Sequence, residues 1–256
     1  METLYPHVFG YAILSPMNII LFDELSAENF LPFSDYRGEH IQKILHLKEG
    51  DQFLAGVTNK QKGLATITSI DETGVHFRFV AQHDNSSHLY PVTLLLAQVR
   101  PICMKRILRE AVSLGVERIL LTGCDTTEKS YANANLYKSG EYKSILLDGA
   151  MQSGETGVSE VLFARSVDHA MHLLLANTKR ILLDNVLESK PLSSMEIGSD
   201  VPVVLAIGPE RGFSDRERDV MMSSGFVPAT LGARILRTET ACSAGLGVLL
   251  GRMGLL

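Results

Sequence analysis

The sequence contains no tryptophan and only three cysteines. Cys103, Cys124 and Cys242 are widely separated, and their number is odd. A disulfide framework or a zinc site requires cysteine pairs at characteristic intervals, which this sequence does not have. We therefore expect reduced thiols in a cytoplasmic protein. The histidines form no set with ligand spacing either, so no metal site is expected.

The sequence also lacks a long apolar run. A helix that spans a bilayer needs about 18 or more apolar residues in succession, and residues 244–256 are interrupted by Arg252 and several glycines. We expect a packed C-terminal helix there and no membrane association. Residues 1–16 lack the basic start and the small-residue cleavage site of a secretory signal. Because a cleaner strand-like run begins at Met17, we expect translation to start there and residues 1–16 to be a dispensable extension.

Positive charge is not in excess. The formal net charge is −5, whereas a nucleic-acid-binding domain is usually basic. A folded enzyme can still concentrate its cations on one face, so the composition leaves RNA binding open.

A polar stretch at residues 83–88 separates two regions with different patterns. Before it, short runs rich in β-branched and aromatic residues alternate with turn signals, which is typical of a small β-barrel. One helix is predicted at residues 39–47, where Ile41, Ile44 and Leu45 share a face. After it, strands alternate with helices, which predicts an α/β domain with a parallel sheet covered on both faces. The predicted domains are residues 17–84 and 85–256.

The second region begins with a continuous apolar run at residues 92–97, as expected for a strand covered on both faces. A helix with one apolar face is predicted at residues 102–114, and Gly115 supplies its C-terminal cap. Further strands are predicted at residues 118–121, 161–164, 180–183, 203–207 and 226–229. Further helices are predicted at residues 139–152, 166–176, 214–224 and 238–253.

The first candidate binding segment is residues 207–217, IGPERGFSDRE. A strand runs into a Gly-Pro turn and a second glycine, and a helix then starts where Ser214 and Glu217 fit a capping box. Open α/β sheets bind ligands at the carboxyl ends of their strands, and glycines let a backbone approach a ligand closely. Taken alone, the segment fits an ordinary strand–turn–helix joint equally well.

The second candidate segment is residues 231–241, LGARILRTETA. It follows a predicted strand and places Ile235 and Leu236 between Arg234 and Arg237. Apolar residues in such a loop suit the lining of a pocket, with the arginines at its rim. The alternative is an ordinary loop with solvated arginines, in which Thr238 is the N-cap of the next helix.

Together and in this order, GPERGFSDRE and LGARILRTETA resemble the SPOUT RNA methyltransferases of the ribosomal RNA small subunit methyltransferase E type. The resemblance covers most of residues 17–256. Residues 104–111 (MKRILREA) and 114–116 (LGV) match the first helix of that family's catalytic domain. The match is weaker at residues 38–45 (GEHIQKIL) and at Gly50 and Asp51, which resemble its PUA-like barrel.

The resemblance implies an α/β domain with a trefoil knot in its C-terminal part, preceded by a small PUA-like β-barrel that binds RNA. It also implies a homodimer that uses S-adenosylmethionine to make N3-methyluridine in the decoding region of 16S ribosomal RNA, in the 30S subunit. The cofactor is expected within the knot loops, held mainly by backbone groups. The residues that carry this expectation are Leu183, Ile207, Gly208, Pro209, Glu210, Gly212, Leu231, Gly232, Ile235, Leu236 and Arg237.

Arg211 departs from the family pattern, which commonly has glycine at this position. If the backbone there requires a positive φ, arginine costs about 1–2 kcal/mol. If it does not, the side chain is free to reach toward RNA phosphates. We favour the second interpretation, because a cation at the mouth of an RNA site has an evident use.

Methylation of uridine N3 requires an unpaired base, which is expected to flip into the pocket. The N3 proton must also leave, either to a general base or because nearby cations favour the uridine anion. Arg237 and Arg234 are the candidates for stabilising negative charge, and Glu239 is the candidate base. The alternative for Glu239 is an acidic residue in the first turn of a helix, where the helix dipole favours it.

RNA binding is expected to involve cations from both regions, with a strong dependence on salt. Each of these side chains taken singly also fits an ordinary surface charge. The candidates are Arg37, His40, Lys43, Arg100, Lys105, Arg106, Arg109 and Arg211.

Other nucleotide-binding classes lack their motifs in this sequence. A Rossmann domain requires a glycine-rich turn after its first strand, but residues 99–101 are Val-Arg-Pro. The GK[ST] element of a phosphate-binding loop is absent too. The remaining alternatives are a SPOUT methyltransferase that acts on another RNA position and a non-catalytic RNA-binding or ribosome-assembly factor. Among SPOUT enzymes, ribose 2′-O methylation is the nearest rival, and the resemblance of residues 231–241 argues against it. Arg211 is the feature that favours the non-catalytic alternative.

Overall fold

The computed structural model describes residues 19–82, 89–199 and 201–256. The predicted extension at residues 1–16, the predicted start at Met17 and the linker at residues 83–88 lie outside these ranges. The described residues fall into two units. One contains residues 19–82 and 151–156, and the other contains residues 89–150 and 157–256.

The first unit is built on a mixed sheet. Its elements are β1 (Ile20–Phe22), β2 (Glu28–Pro32), α1 (Tyr36–Lys43), β3 (Gln52–Val57), β4 (Lys62–Ile70) and β5 (Gly74–Ala81). Within residues 19–82 the strand order is β1-β3-β4-β5-β2, with β1 parallel to β3 and the other neighbours antiparallel. Alternate residues of the strands point inward, and Phe53, Ile67 and Phe77 lie in a core of their own.

The predicted helix at residues 39–47 is wrong in both of its limits. Helix α1 begins earlier because the side chain of Asp35 caps it by accepting a hydrogen bond from the backbone N–H of Arg37. It ends before Ile44 because His46 has a positive φ of 52° and the Leu47 N–H turns back to the Ile41 carbonyl. Ile41 is buried as predicted, whereas Ile44 is exposed.

The second unit alternates strands with helices, as predicted. Its first half contains β6 (Tyr90–Ala97), α2 (Pro101–Ser113), β7 (Val116–Thr122), α3 (Asn135–Lys138), α4 (Glu141–Ser153), β8 (Glu160–Ala164) and α5 (Val167–Leu173), and the last three residues of α4 are assigned to the first unit. Its second half contains β9 (Lys179–Leu183), β10 (Lys190–Pro191), β11 (Val203–Ile207), α6 (Asp215–Ser223), β12 (Phe226–Thr230) and α7 (Thr238–Arg252). Two short 3₁₀ turns, Tyr131–Asn133 and Leu192–Ser194, lie in its described loops.

These strands form a parallel sheet, which confirms the predicted α/β class. In the described part of the unit the order is β10-β12-β9-β11-β6-β7-β8. The central strands are buried on both faces, and each residue of β11 is buried. Such continuous apolar runs are expected where helices cover a parallel sheet on both sides. The chain therefore brings the carboxyl ends of β9, β11 and β12 together at one edge of the sheet.

Two helices behave as their sequences predict. Helix α2 has Pro101 in its first turn and buries Met104, Ile107, Leu108, Ala111 and Val112 at helical spacing, and Gly115 follows with a φ of 77°. Helix α7 is the packed C-terminal helix expected from the sequence. Its buried residues include Cys242, Leu246, Leu249 and Leu250. None of the helices in the described ranges has the length and apolar character needed to cross a bilayer.

Candidate active site

A cavity of about 700 Å³ opens at the carboxyl ends of β9, β11 and β12. The loops that follow these strands form its walls, which is where open α/β sheets bind ligands. All of the residues expected from the sequence to hold a cofactor line this cavity, as do Arg234, Glu239, Arg100 and Arg211. Among the described residues there is no group of three or more His, Cys, Asp or Glu side chains that could hold a metal ion.

The loop after β11 is a tight turn whose glycines have specific roles. The Gly212 N–H donates to the Pro209 carbonyl at 2.8 Å, and Gly212 has a φ of 71°. A Cβ on Gly208 would lie 3.1 Å from the ring of Phe213, which is buried under the turn. The predicted capping box is present, because the Ser214 and Glu217 side chains each accept a hydrogen bond from the other residue's backbone N–H.

Arg211 occupies this turn without backbone strain. Among the described residues other than glycine, φ is positive only at His46, Asn59 and Asn177. The left-handed conformation in the turn belongs to Gly212, so arginine at position 211 carries no conformational penalty of that kind. Arg211 is exposed at the mouth of the cavity.

The loop after β12 forms another wall of the cavity. Gly232 has a φ of 112°, a conformation that favours glycine. Leu236 is partly buried, whereas the side chain of Ile235 is 84% exposed. Arg234 and Arg237 are exposed along the rim.

The alternative interpretation, in which Thr238 is the N-cap of the last helix, does not hold. Arg237 holds the N-cap position with no side-chain capping bond, and Thr238 is the first helical residue. The Thr238 hydroxyl instead donates to the Gly208 carbonyl at 3.4 Å. It therefore connects the loop after β12 to the loop after β11.

The loop after β9 completes the cavity and was mostly missed by sequence reasoning, which reached only Leu183. Asp184, Asn185 and Val186 also line the wall. Asp184 Oδ1 accepts hydrogen bonds from the backbone N–H groups of Val186, at 2.7 Å, and Leu187, at 3.2 Å. An aspartate directly after a strand is a recognised turn signal, but nothing in its spacing relates it to a cofactor.

Glu239 lies in the first turn of α7 with a thiol beside it. Cys103 Sγ on α2 is 3.8 Å from Glu239 Oε1, within the range of a weak sulfur hydrogen bond. Burial, followed by the Glu239 charge, raises the pKa of the Cys103 thiol. The thiol is therefore protonated near neutral pH and donates to the carboxylate. Nothing in the sequence had singled out Cys103.

Arg100 stands at the start of α2 on the same rim. A hydrogen bond with the Tyr131 hydroxyl, followed by the nearby Tyr131 and Glu210 charges, raises the pKa of this guanidinium. Arg100 is fully exposed, so it keeps its charge and remains accessible to an anion from solvent.

A neighbouring loop, after β7, supports the turn after β11. The Thr126 hydroxyl donates to the Gly212 carbonyl at 2.6 Å, and the Ser214 hydroxyl donates to Asp125 Oδ2 at 2.6 Å. The fully buried Glu217 carboxylate accepts from the backbone N–H of Asp125, at 2.9 Å. These contacts connect the turn to the loop after β7.

The remaining cations expected to bind RNA differ in their exposure and in whether they already form an ion pair. On α2, Arg106 and Arg109 are exposed, whereas Lys105 forms an ion pair with Glu141. In the first unit, Lys43 pairs with Glu39. Arg37 donates to Asp35 and to the Leu21 carbonyl, so much of its hydrogen-bonding capacity is already used.

His40 is the least suited of these cations to phosphate binding. Burial lowers the pKa of its imidazole, which favours the neutral form. Its Nε2 has no hydrogen-bond partner among the described residues.

Comparison with known proteins identifies relatives along most of the chain. Residues 85–250 match the family model of the RNA methyltransferase domain. A ribosomal RNA small subunit methyltransferase E from Treponema pallidum is 34% identical over 242 residues, which cover 91% of each chain. Ribosomal RNA small subunit methyltransferase E 1 from Borreliella burgdorferi is 29% identical over 230 residues, covering 89% of this chain and 95% of that protein.

Solved structures share the fold. A ribosomal RNA small subunit methyltransferase E from Neisseria gonorrhoeae, bound to S-adenosyl methionine, has a TM-score of 0.78 at 21% identity. The match covers 93% of this chain and 98% of that one. A probable rRNA-methyltransferase from Porphyromonas gingivalis has a TM-score of 0.79 at 18% identity, with 93% and 99% coverage.

Proposed function

Because this chain belongs to the ribosomal RNA small subunit methyltransferase E family, we propose that it transfers the methyl group of S-adenosylmethionine to N3 of a uridine in 16S ribosomal RNA. The acceptor would lie in the decoding region of the small subunit. The relatives are named as small-subunit methyltransferases, and the N3 position follows from the sequence resemblance.

The observation that carries this proposal is the meeting of the two motif loops at one cavity. Residues 207–217 and 231–241 follow different strands, yet both line the same space at the edge of the parallel sheet. Neither segment alone distinguishes a binding site from an ordinary joint. Their convergence with the loop after β9 supports a ligand site, since a concave pocket with a few polar groups is the usual form of such sites.

The cavity suits a cofactor with an apolar ring system and a polar tail. Leu183, Ile207 and Leu236 supply apolar surface, and Gly208 and Gly232 allow close approach of the backbone. We propose that the cofactor-binding residues are those expected from the sequence. Asn185 and Val186 extend that set along the loop after β9.

S-adenosylmethionine would supply an electrophilic methyl group on a sulfonium. The transfer breaks the S–CH₃ bond, forms an N3–CH₃ bond and releases the N3 proton. Glu239 is our candidate for receiving that proton, because it is the carboxylate of the second motif and lies in the cavity wall. Arg234 and Arg237 would stabilise negative charge on the base or on its phosphate.

RNA would be bound by cations near the cavity and by the first unit. Arg100, Arg106, Arg109 and Arg211 are exposed, so their charges are accessible to phosphates. We propose that residues 17–84 form the PUA-like RNA-binding barrel. The other candidate cations are less available. Before they could bind phosphate, the present contacts of Lys105, Arg37 and Lys43 would have to break, and His40 would have to be protonated.

We also propose a trefoil knot in the loops around the cavity and a homodimer, in a cytoplasmic protein. Strands β11 and β12 follow each other in the chain, but β9 lies between them in the sheet. The connection from β11 to β12 therefore passes over β9, as a knotted connection requires. Ile102, which is 65% exposed, is an apolar side chain on α2 that a dimer interface would cover. Replacement of Ile102 by glutamate, outside the cavity lining, should shift a dimer toward monomer in sedimentation.

The decisive experiment is methylation of 30S subunits that lack the modification, with purified protein and S-adenosylmethionine. The RNA is then digested to nucleosides, which are separated and identified by mass spectrometry. N3-methyluridine is the expected product, and an E239Q variant should form it more slowly by a factor of about 10²–10⁴ if Glu239 is the base. An unchanged rate with E239Q would show that Glu239 is not the base. Its role would then be that of an acidic residue in the first turn of the helix, where the helix dipole favours it.

Two other outcomes would favour the alternatives. Cofactor binding without a methylated nucleoside would indicate another RNA target or position, which a survey of total RNA would identify. RNA binding without any cofactor binding would favour a non-catalytic RNA-binding or ribosome-assembly factor.

A further inference from the structure

Asp184 lies where the walls of the cavity meet. Its backbone N–H donates to the Ala229 carbonyl at 3.1 Å, which ties it to the end of β12. Its Oδ1 atom accepts from the N–H groups of Val186 and Leu187 and so shapes its own loop. Its Oδ2 atom accepts from Arg218 Nε at 2.9 Å, and Arg218 belongs to α6, the helix that follows the turn after β11.

The link between Asp184 and Arg218 is buried. The side chain of Asp184 is 3% exposed and that of Arg218 is 9% exposed. Arg218 Nη1 also donates to Asp215 Oδ1, and Nη2 lies 3.3 Å from the point that a Cβ on Gly212 would occupy. The guanidinium therefore fills the space directly behind the glycine of the turn.

The fold has other means of holding these elements. The capping box starts α6, Met221 on α6 is fully buried in the core, and the β9–β12 ladder fixes the backbone before Asp184. A buried ion pair is in general weak evidence for stability, because desolvation of both charges offsets their attraction. A role in shaping the site accounts better for a charged pair placed in the cavity wall.

We propose that Asp184 and Arg218 are positioning residues for the cofactor. The pair holds the loop after β9 against the turn after β11, so that both walls are in place before the cofactor enters. This inference rests on the proposed function, because it concerns the same cavity. It assigns a role to residues that neither sequence motif predicted.

The D184N variant isolates the link between the loops. Asparagine keeps an oxygen that accepts from the Val186 and Leu187 N–H groups, but its amide nitrogen then faces the Arg218 donor. We expect the Kd for S-adenosylmethionine, measured by calorimetry, to rise about tenfold, which corresponds to about 1.4 kcal/mol. At saturating cofactor and RNA, kcat should change by less than about twofold, because the reacting groups are untouched.

Arg218 and a neighbour on the same helix give the matched comparison. R218M should raise the cofactor Kd about as much as D184N, because the other Arg218 pair is with the exposed Asp215. The double variant should add little, because both changes break the same link between Asp184 and Arg218. Arg216 is also on α6 and pairs with Asp125 and Asp168, but it does not line the cavity. R216M should leave the Kd within about twofold of the wild type.

R218K is the substitution to measure if D184N or R218M does not fold. Lysine retains the charge but offers one point of contact where arginine offers several. We expect R218K to fold, as judged by circular dichroism, and to have a cofactor Kd between those of the wild type and R218M.

The inference is wrong if folded D184N and R218M, or folded R218K alone, bind S-adenosylmethionine as the wild type does. It is also wrong if R216M weakens binding equally, or if kcat falls as much as Kd rises. Failure of the wild type to bind the cofactor would overturn the proposed function and this inference with it. Normal binding by the wild type and all variants would overturn the inference alone.

Discussion

The hydroxyl of Thr126 donates a 2.6 Å hydrogen bond to the backbone carbonyl of Gly212. Gly212 has a φ of 71°, so the bond secures the one position in this turn whose conformation favours glycine. Thr126 does not line the cavity. It therefore offers a way to loosen the cofactor loop without touching the ligand.

We expect T126V to lower the free energy of unfolding by about 1 kcal/mol, because the Gly212 carbonyl loses this donor. The Kd for S-adenosylmethionine should rise about threefold as the turn becomes less well fixed. Urea unfolding and calorimetry measure the two effects. T126S retains the hydroxyl and serves as the control. Equal cofactor affinity in T126V and the wild type would show that the turn holds its shape without this bond.

Arg211 should act on RNA and not on the cofactor. Its φ is not in the left-handed region, so replacing it by glycine relieves no strain. R211A and R211G should therefore have the same cofactor Kd as the wild type. Both should bind 16S-derived RNA more weakly, and the slope of log K against log salt should decrease by about one. Filter binding over a salt series measures this slope.

R216A is the control for that experiment, because Arg216 is already paired with Asp125 and Asp168. A strong gain in cofactor affinity with R211G, without any change in RNA binding, would contradict our assignment. Arg211 would then act against the cofactor, as the non-catalytic alternative requires.

Cys103 offers a test of cavity occupancy that needs no catalytic activity. It lines the cavity, whereas Cys242 is buried in the core and burial strongly raises the pKa of Cys124. Iodoacetamide should therefore modify Cys103 first, and S-adenosylmethionine should slow the reaction.

The raised pKa of Cys103 sets the pH dependence of this labelling. Because the thiolate is the nucleophile, modification should be slow near pH 7, and its rate should still be rising where labelling of an ordinary cysteine, with a pKa of about 8.5, levels off. Peptide mass spectrometry identifies the labelled residue, and C103S should remain unlabelled at this position. Labelling that is equally fast with and without saturating cofactor would mean that the cofactor does not cover this wall.

The sequence predicted the strands and the two motif loops because their signals are local. Continuous apolar runs mark β6 and β11, and the glycines of both motifs are visible without a structure. The contacts that join the loops are not local. Arg218 is 34 residues from Asp184, and Thr126 is 86 residues from Gly212, so no spacing rule relates either pair.

The differences from the sequence expectations have two origins, one local and one tertiary. The predicted helix at residues 39–47 followed apolar spacing, but the actual limits depend on the Asp35 cap and on the positive φ of His46. The alternative that made Thr238 an N-cap rested on its residue type, whereas its hydroxyl donates to the Gly208 carbonyl of another loop. In each case a tertiary or backbone contact outweighed a local preference.

Asp35 and Arg37 form the most extensively bonded ion pair of the first unit's helix α1. Arg37 Nε and Nη2 donate to the two oxygens of Asp35 at 3.0 and 2.5 Å, and Nη1 donates to the Leu21 carbonyl at 2.7 Å. The guanidinium lies 4.7 Å from the centroid of the Phe22 ring. The hydrogen bond from Arg37 is the largest cause that lowers the pKa of Asp35.

A carboxylate with a lowered pKa stabilises the folded state above its unfolded pKa of about 3.9, and this contribution is lost as the pH falls through the lowered value. Asparagine caps a helix about as well as aspartate, so D35N removes mainly the charge pair. We expect D35N to lose about 1 kcal/mol of unfolding free energy at pH 7, with the difference from the wild type shrinking progressively below about pH 4. Urea unfolding at several pH values measures this difference. E28Q, which breaks the exposed pair with Arg78, should change stability little at any pH. A D35N deficit that stays constant into acid would mean that packing around Arg37, and not the charge of Asp35, stabilises this helix.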